Sequence, residues 1–209
     1  MMSKNIRRTA LALALAAGFA ASFSAQAQSG PWMVRVHALS LDSANGGSTN
    51  PDLQLSINNK IFPEFDISYF FTPNIAAELV LTYPQKQDIR SAGTNIGSLK
   101  HLPPTLSLQY HFTDLGAFKP YVGAGLNYTH FSSVSFAPAV VTALNPSIDK
   151  NSTGLAVGAG FDYEFAKNTY FNLDVKKVQI GTDIKSNGTK VGDFKVDPLL
   201  VGVGIGWRF

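Results

Sequence analysis

Four histidines, fourteen acids and no cysteine bound the chemistry open to this chain. His37, His101, His111 and His130 fall on separate segments without metal-type spacing, and no G-x-S-x-G string marks an activated serine. A catalytic site needs a nucleophile, a base and a stabilising group brought together. Rim loops of a barrel can assemble one without a motif, but the plainer reading is structural or solvated histidines. No enzyme is expected, and no cofactor or metal. Lack of cysteine removes disulfides, zinc thiolates and thiol nucleophiles. Asn151-Ser152-Thr153 and Asn187-Gly188-Thr189 match glycosylation sequons and read more simply as polar loop residues.

The N-terminus qualifies the overall charge. Lys4, Arg7 and Arg8 precede an apolar stretch, Ala10 to Phe23, and the small-x-small string Ala25-Gln26-Ala27. This reads as a secretory leader over residues 1–27, cleaved after Ala27. A membrane anchor is the alternative, but the apolar stretch falls short of the ~20 residues that a bilayer needs. Removing the leader lowers Lys+Arg from 17 to 14 against 14 Asp+Glu. The mature part, 28–209, is then formally neutral and gives no reason to expect a nucleic-acid partner.

After the leader no long apolar run suits a membrane helix. Eight segments instead alternate with period two, near 31–41, 60–71, 75–83, 104–112, 121–133, 153–166, 169–182 and 193–209. Their connections alternate between short (Thr72-Pro73-Asn74, 113–120, Lys167-Asn168) and long (42–59, 84–103, 134–152, 183–192). Short turns at one end and long loops at the other predict an all-β, eight-stranded antiparallel transmembrane barrel in the outer membrane, with short periplasmic turns and long external loops.

The two faces differ. One carries Val34, Phe65, Leu79, Leu108, Val157, Leu173, Val203 and their i±2 neighbours, without a charge. The other carries Arg35, His37, Glu64, Asp66, Glu78, His111, Asp162, Glu164, Asp174, Lys176 and Arg208, with most strand glycines. A soluble ligand-binding barrel would turn the apolar face inward and leave an apolar belt in water. Lipid outside and polar groups inside resolve this. Aromatics beside the short turns and termini (Trp32, Phe70, Phe71, Phe112, Tyr121, Phe165, Tyr170, Phe171, Trp207, Phe209) predict a periplasmic girdle. Phe62, Tyr83, Tyr128 and Phe131 predict an outer one.

The string His101-Leu102-Pro103-Pro104-Thr105-Leu106, the run Pro120 to Tyr128 and the ending Gly206-Trp207-Arg208-Phe209 resemble motifs of the OmpW family of small outer-membrane barrels. Asn74-Ile75, Glu78-Leu79 and Pro84 fit around the family's third strand, and Val196-Asp197-Pro198 fits its last. The resemblance spans essentially the whole mature chain. It implies a narrow, mainly hydrophobic channel passing small apolar molecules inward, with release through the barrel wall into the membrane. It also implies large apolar side chains inward at mid-height. Here those positions hold Val80 and, as a departure, Lys176. A terminal aromatic such as Phe209 resembles the signal read by the outer-membrane assembly machinery.

An eight-stranded lumen is largely filled by side chains. Arg35, Glu64, Asp66, Glu78, His111, Asp162, Glu164, Asp174 and Arg208 read either as a paired plug or as a cation-favouring path. Met33, Leu39, Phe70, Val80, Lys176 and Leu200 are channel-lining candidates or plain packing. The stretch 136–144 is apolar for an external loop, and reads as part of a funnel, with or without a short helix, or as a segment folded over the rim. Two functions follow: passive transport of small hydrophobic molecules, or a non-conducting surface barrel acting through its loops. Expected partners are membrane lipid, the assembly machinery and small hydrophobic molecules.

Overall fold

The computed structural model describes residues 30–209, so the leader assigned to 1–27 lies outside the described residues. In chain order the elements are β1 (Trp32–Asp42), β2 (Gly46–Thr49), β3 (Leu55–Ile57), β4 (Lys60–Phe70), β5 (Ile75–Leu81), β6 (Gln85–Ser91), β7 (Thr94–Leu102) and β8 (Thr105–His111). They continue with β9 (Phe118–Phe136), α1 (Pro138–Leu144), β10 (Pro146–Ile148), β11 (Asn151–Ala166), β12 (Thr169–Val178), β13 (Gly181–Ser186), β14 (Thr189–Lys195) and β15 (Leu199–Arg208). No described helix is long and apolar enough to cross a membrane.

Eight antiparallel strands close the ring in the order β1, β4, β5, β8, β9, β11, β12, β15, with β15 returning to β1. Period two sets what each strand presents. Arg35, His37, Glu64, Asp66, Glu78, Asp162, Asp174 and Lys176 are buried in the lumen, whereas Phe65, Leu79, Leu106, Leu108, Val157 and Val203 are exposed outside. Lipid is the solvent that makes such an apolar exterior favourable. The absence of a Cβ matters where β15 lies against β1. A Cβ on Gly204 would sit 2.1 Å from the Val36 carbonyl oxygen and 2.3 Å from His37 Cδ2.

The long external loops are themselves folded. β3, β6 and β7 continue the upper end of β9, and β10, β13, β14 and β2 form a second four-stranded sheet. The expected strands 169–182 and 193–209 each break in two, at 179–180 and 196–198. The β13–β14 turn is Asn187-Gly188, both with positive φ (49° and 81°). That conformation suits a two-residue hairpin, and Asn-Gly is its strongest sequence signal. Pro138 opens α1, and Asn145 ends it in the left-handed region, its N–H donating to the Val141 carbonyl.

Five expected girdle aromatics lie inside instead. Phe62, Phe70, Tyr121, Phe131 and Tyr170 are buried, because each shares the parity of the lumen-facing residues on its strand. Trp32, Phe71, Phe112 and Phe165 remain exposed near the turns, and Tyr83 and Tyr128 near the outer rim. Buried Met33, Phe70, Ala76 and Tyr170 make a small core at the periplasmic end. A larger core joins Leu39, Leu41, Phe62, Phe131, Val178 and Leu200 to the cap residues Ile57, Ile89, Leu99 and Phe194.

Candidate functional site: apolar cavities above an ionic plug

The lower lumen is sealed by charge pairs. Arg35 on β1 donates from Nε and Nη2 to the two oxygens of Asp162 on β11, at 3.0 and 2.6 Å. Its Nη1 donates to Ser68 Oγ (2.8 Å) and Glu78 Oε1 (3.2 Å). Asn172 Nδ2 donates to Asp162 Oδ1 at 2.8 Å and to the Tyr121 hydroxyl at 3.0 Å. Beside this unit Lys176 Nζ lies 3.0 Å from Glu64 Oε1, 3.4 Å from Asp66 Oδ2 and 2.8 Å from Asp174 Oδ2. His37 donates from Nε2 to Asn172 Oδ1 at 2.7 Å, and its Nδ1 lies 3.1 Å from Asp66 Oδ2.

Parity on β1, β4, β5, β11 and β12 therefore places Arg35, Glu64, Asp66, Glu78, Asp162, Asp174 and Lys176 in one network. His111 stands at its edge, 3.9 Å from Asp162, with its ring tilted against those of Phe70 and Tyr121. Two expected members stand apart. Glu164, next to a register shift in β11, pairs with Lys119 at 2.7 Å. Arg208 lies over the Phe70 ring at 3.9 Å and donates from Nε to the Gly30 carbonyl. Asn172 joins the network from the polar face read in the sequence, and Ser68 and Tyr121 join it although sequence reasoning did not select them. Their inward parity was the available signal.

Ligand atoms of His37, Glu64, Asp66 and Asp174 come within 4.8 Å of one another, a spacing a metal could use. Lys176 Nζ already lies against all three of those carboxylates, so an ammonium takes the cation's place.

Above the plug the lumen turns apolar. A small chamber of about 20 Å³ is walled by Leu39, Phe62, Val80, Val178 and Leu200, with Glu64 and Lys176 at its floor. Higher, a cavity of about 50 Å³ lies within the cap, lined by Ile57, Ile89, Leu99, Phe136 and Phe194. Val140 and Leu144 of α1 also line it, which gives the apolar stretch 136–144 a place on its wall. Among the channel-lining candidates, Leu39, Val80, Lys176 and Leu200 meet at the chamber, whereas Met33 and Phe70 close the floor below the plug.

The barrel wall is incomplete beside the chamber. β4 and β5 pair only as high as Phe65 with Leu81, and Lys60 to Glu64 pair with β1 alone. Above Leu81, Pro84 lies between β5 and β6, and Pro103-Pro104 lie between β7 and β8. Proline cannot donate to a ladder. Lys60 Nζ, donating to the Lys86 carbonyl, and Asn58 Oδ1, accepting from Asp88 N–H, are the bonds that bridge from the 58–60 segment to β6.

Known proteins share this architecture. Residues 25–209 match the model of the OmpW family. The chain is 43% identical over 187 residues to an uncharacterized outer-membrane protein, y4mB, of Sinorhizobium fredii, covering 86% of this chain and 80% of that protein. It is 31% identical over 222 residues to outer membrane protein W of Vibrio cholerae, covering 98% and 100%. A relative 28% identical over 174 residues is the dibenzothiophene metabolism operon protein PahQ of Pseudomonas aeruginosa, covering 78% and 76%. Among solved structures, OprG from Pseudomonas aeruginosa superposes with a TM-score of 0.75 at 27% identity, covering 87% of this chain and 96% of that one. The E. coli outer membrane protein W gives 0.64 at 29% identity, covering 88% and 100%. The chain belongs to the OmpW family, as an eight-stranded barrel of the outer membrane.

Proposed function

We propose that the protein passes small hydrophobic molecules from the cell surface into the outer membrane. They enter the cap cavity, descend to the mid-height chamber and leave sideways where β4 and β5 part. One observation carries this reading: two apolar cavities stand above a plug in which Arg35 and Lys176 are tied to five carboxylates. Apolar cargo gains by leaving water for such walls and would lose by entering the ionic layer. The unpaired edge of β4 offers an exit at chamber height. PahQ, named for an operon of dibenzothiophene metabolism, is a relative associated with an apolar aromatic compound.

Uptake of an apolar fluorescent solute into vesicles tests the reading. Vesicles carrying the protein should fill faster than protein-free vesicles, and deletion of 136–144 should remove much of the gain. Equal rates with and without protein would refute transport and leave a surface barrel acting through its cap.

A further inference from the structure

Gln85, Gln87 and His101 lie on the inner face of the β6–β7 hairpin, between the two apolar cavities. Gln85 pairs with His101 across the ladder, and Gln87 pairs with Leu99. Ile89, farther out on β6, and Leu99, level with Gln87, wall the cap cavity. Toward the membrane, Thr82 and Pro103 wall the chamber. Along β6 and β7 the three polar side chains thus fall between residues that wall the two cavities, themselves buried and lining neither.

All three are at most 1% exposed. Gln85 Nε2 donates to the Tyr83 carbonyl at 3.0 Å. Gln85 Oε1, both polar atoms of the Gln87 side chain and both ring nitrogens of His101 have no hydrogen-bond partner among the described residues. Burying such groups unpaired costs stability, and an apolar wall of the same shape would avoid that cost. Around them the core is apolar, with Leu41, Phe62 and Phe131 nearby in the same cluster. Burial, with Lys60 close by, holds the His101 imidazole down at about 4, so at neutral pH it offers one N–H donor and one lone pair. Each glutamine amide likewise both donates and accepts.

We propose that Gln85, Gln87 and His101 form a polar checkpoint that recognises a hydroxyl or carbonyl oxygen on an otherwise apolar molecule passing between the cavities. The checkpoint rests on the proposed route and narrows its cargo to hydrophobic molecules bearing one neutral oxygen. An amide N–H or the imidazole N–H donates to that oxygen, and a glutamine oxygen accepts from a hydroxyl. A pure hydrocarbon leaves these groups unpaired, which disfavours its passage.

The test uses the mature protein in lipid bilayers, ¹⁵N-labelled in side chains, with 1-octanol and n-octane as probes. Octanol should shift the Gln87 amide and His101 ring nitrogens, and octane should shift only the resonances of apolar cavity residues. A variant carrying Gln87→Leu and His101→Leu should bind octanol about tenfold more weakly, as expected for two lost hydrogen bonds, and octane no more weakly than wild type. Octanol shifts confined to apolar residues such as Val80, or unchanged octanol affinity in the variant, would overturn the checkpoint alone. Absence of binding by both probes would overturn the transport reading together with it. The wild-type spectra decide the matter even if the variant fails to assemble.

Discussion

Arg35 and Asp162, 127 positions apart, meet across the lumen in a two-pronged ion pair, with contacts of 3.0 and 2.6 Å. The pair links β1 to β11, strands that share no ladder, so it acts as a strut inside the ring. Glu78 on β5 and Ser68 on β4 take the remaining Arg35 nitrogen, which ties four strands to one guanidinium. The same strut occupies the space through which a solute would have to descend.

Removing Arg35 leaves Asp162 and Glu78 buried without their main counter-charge. Arg35→Met should lower unfolding stability by about 3–5 kcal/mol, the scale for breaking a buried pair from one side. Arg35→Lys should recover only part, since a point charge cannot span both Asp162 oxygens. Urea titration followed by the gel mobility of the folded barrel reads both. Equal stability of Arg35→Met and wild type would show that the strut contributes nothing.

Gly204 gives a steric prediction. A Cβ there meets the Val36 carbonyl oxygen at 2.1 Å, whereas at Gly181 the nearest contact is 3.4 Å. Gly204→Ala should destabilise the barrel by roughly 1–3 kcal/mol, as overpacking does, and Gly181→Ala should cost far less. Urea midpoints of the two variants measured side by side check the contrast.

Acid should weaken the cap through His101. Its imidazole sits at about 4 when folded and near 6.5 when unfolded. The unfolded chain therefore takes up the proton first as pH falls. The contribution is complete above about 6.5 and is lost between there and about 4, amounting to about 3 kcal/mol. Wild type should lose more stability between pH 7 and 4.5 than His101→Gln does. Parallel curves for the two would contradict this.

Period-two parity made the lumen face legible, down to Lys176 on β12 and Arg35 on β1. Parity also outweighs residue type, which is why Phe62, Phe70, Tyr121, Phe131 and Tyr170 face inward despite lying near the interfaces. The cap was harder to read. Gln85-Lys86-Gln87-Asp88 alternates polar with polar, so hydrophobic periodicity says nothing about β6, although its inner side chains are as buried as any core residue. Which acid meets Arg35 depends on the stagger of the closed ring, and no local pattern encodes a partner 127 residues away.

Phe209 offers a prediction about assembly. Its backbone N–H donates to the Trp32 carbonyl at 2.9 Å and its carbonyl accepts from Trp32 N–H at 3.1 Å, contacts that a side-chain change leaves available. Phe209→Asp should reduce the folded protein recovered from the outer membrane several-fold, while refolding of the purified variant in detergent changes little. Normal membrane yield would argue against an assembly role for the terminal aromatic.

The route itself is tested most directly by uptake of an apolar solute into vesicles carrying wild type, Val80→Trp or Phe70→Ala. Val80 walls the chamber above the plug and Phe70 closes the floor beneath it. The account predicts that Val80→Trp reduces uptake close to the protein-free rate, whereas Phe70→Ala leaves it at the wild-type level. Wild-type uptake by Val80→Trp, or a marked gain on opening the floor with Phe70→Ala, would contradict a path that enters from above and leaves through the wall.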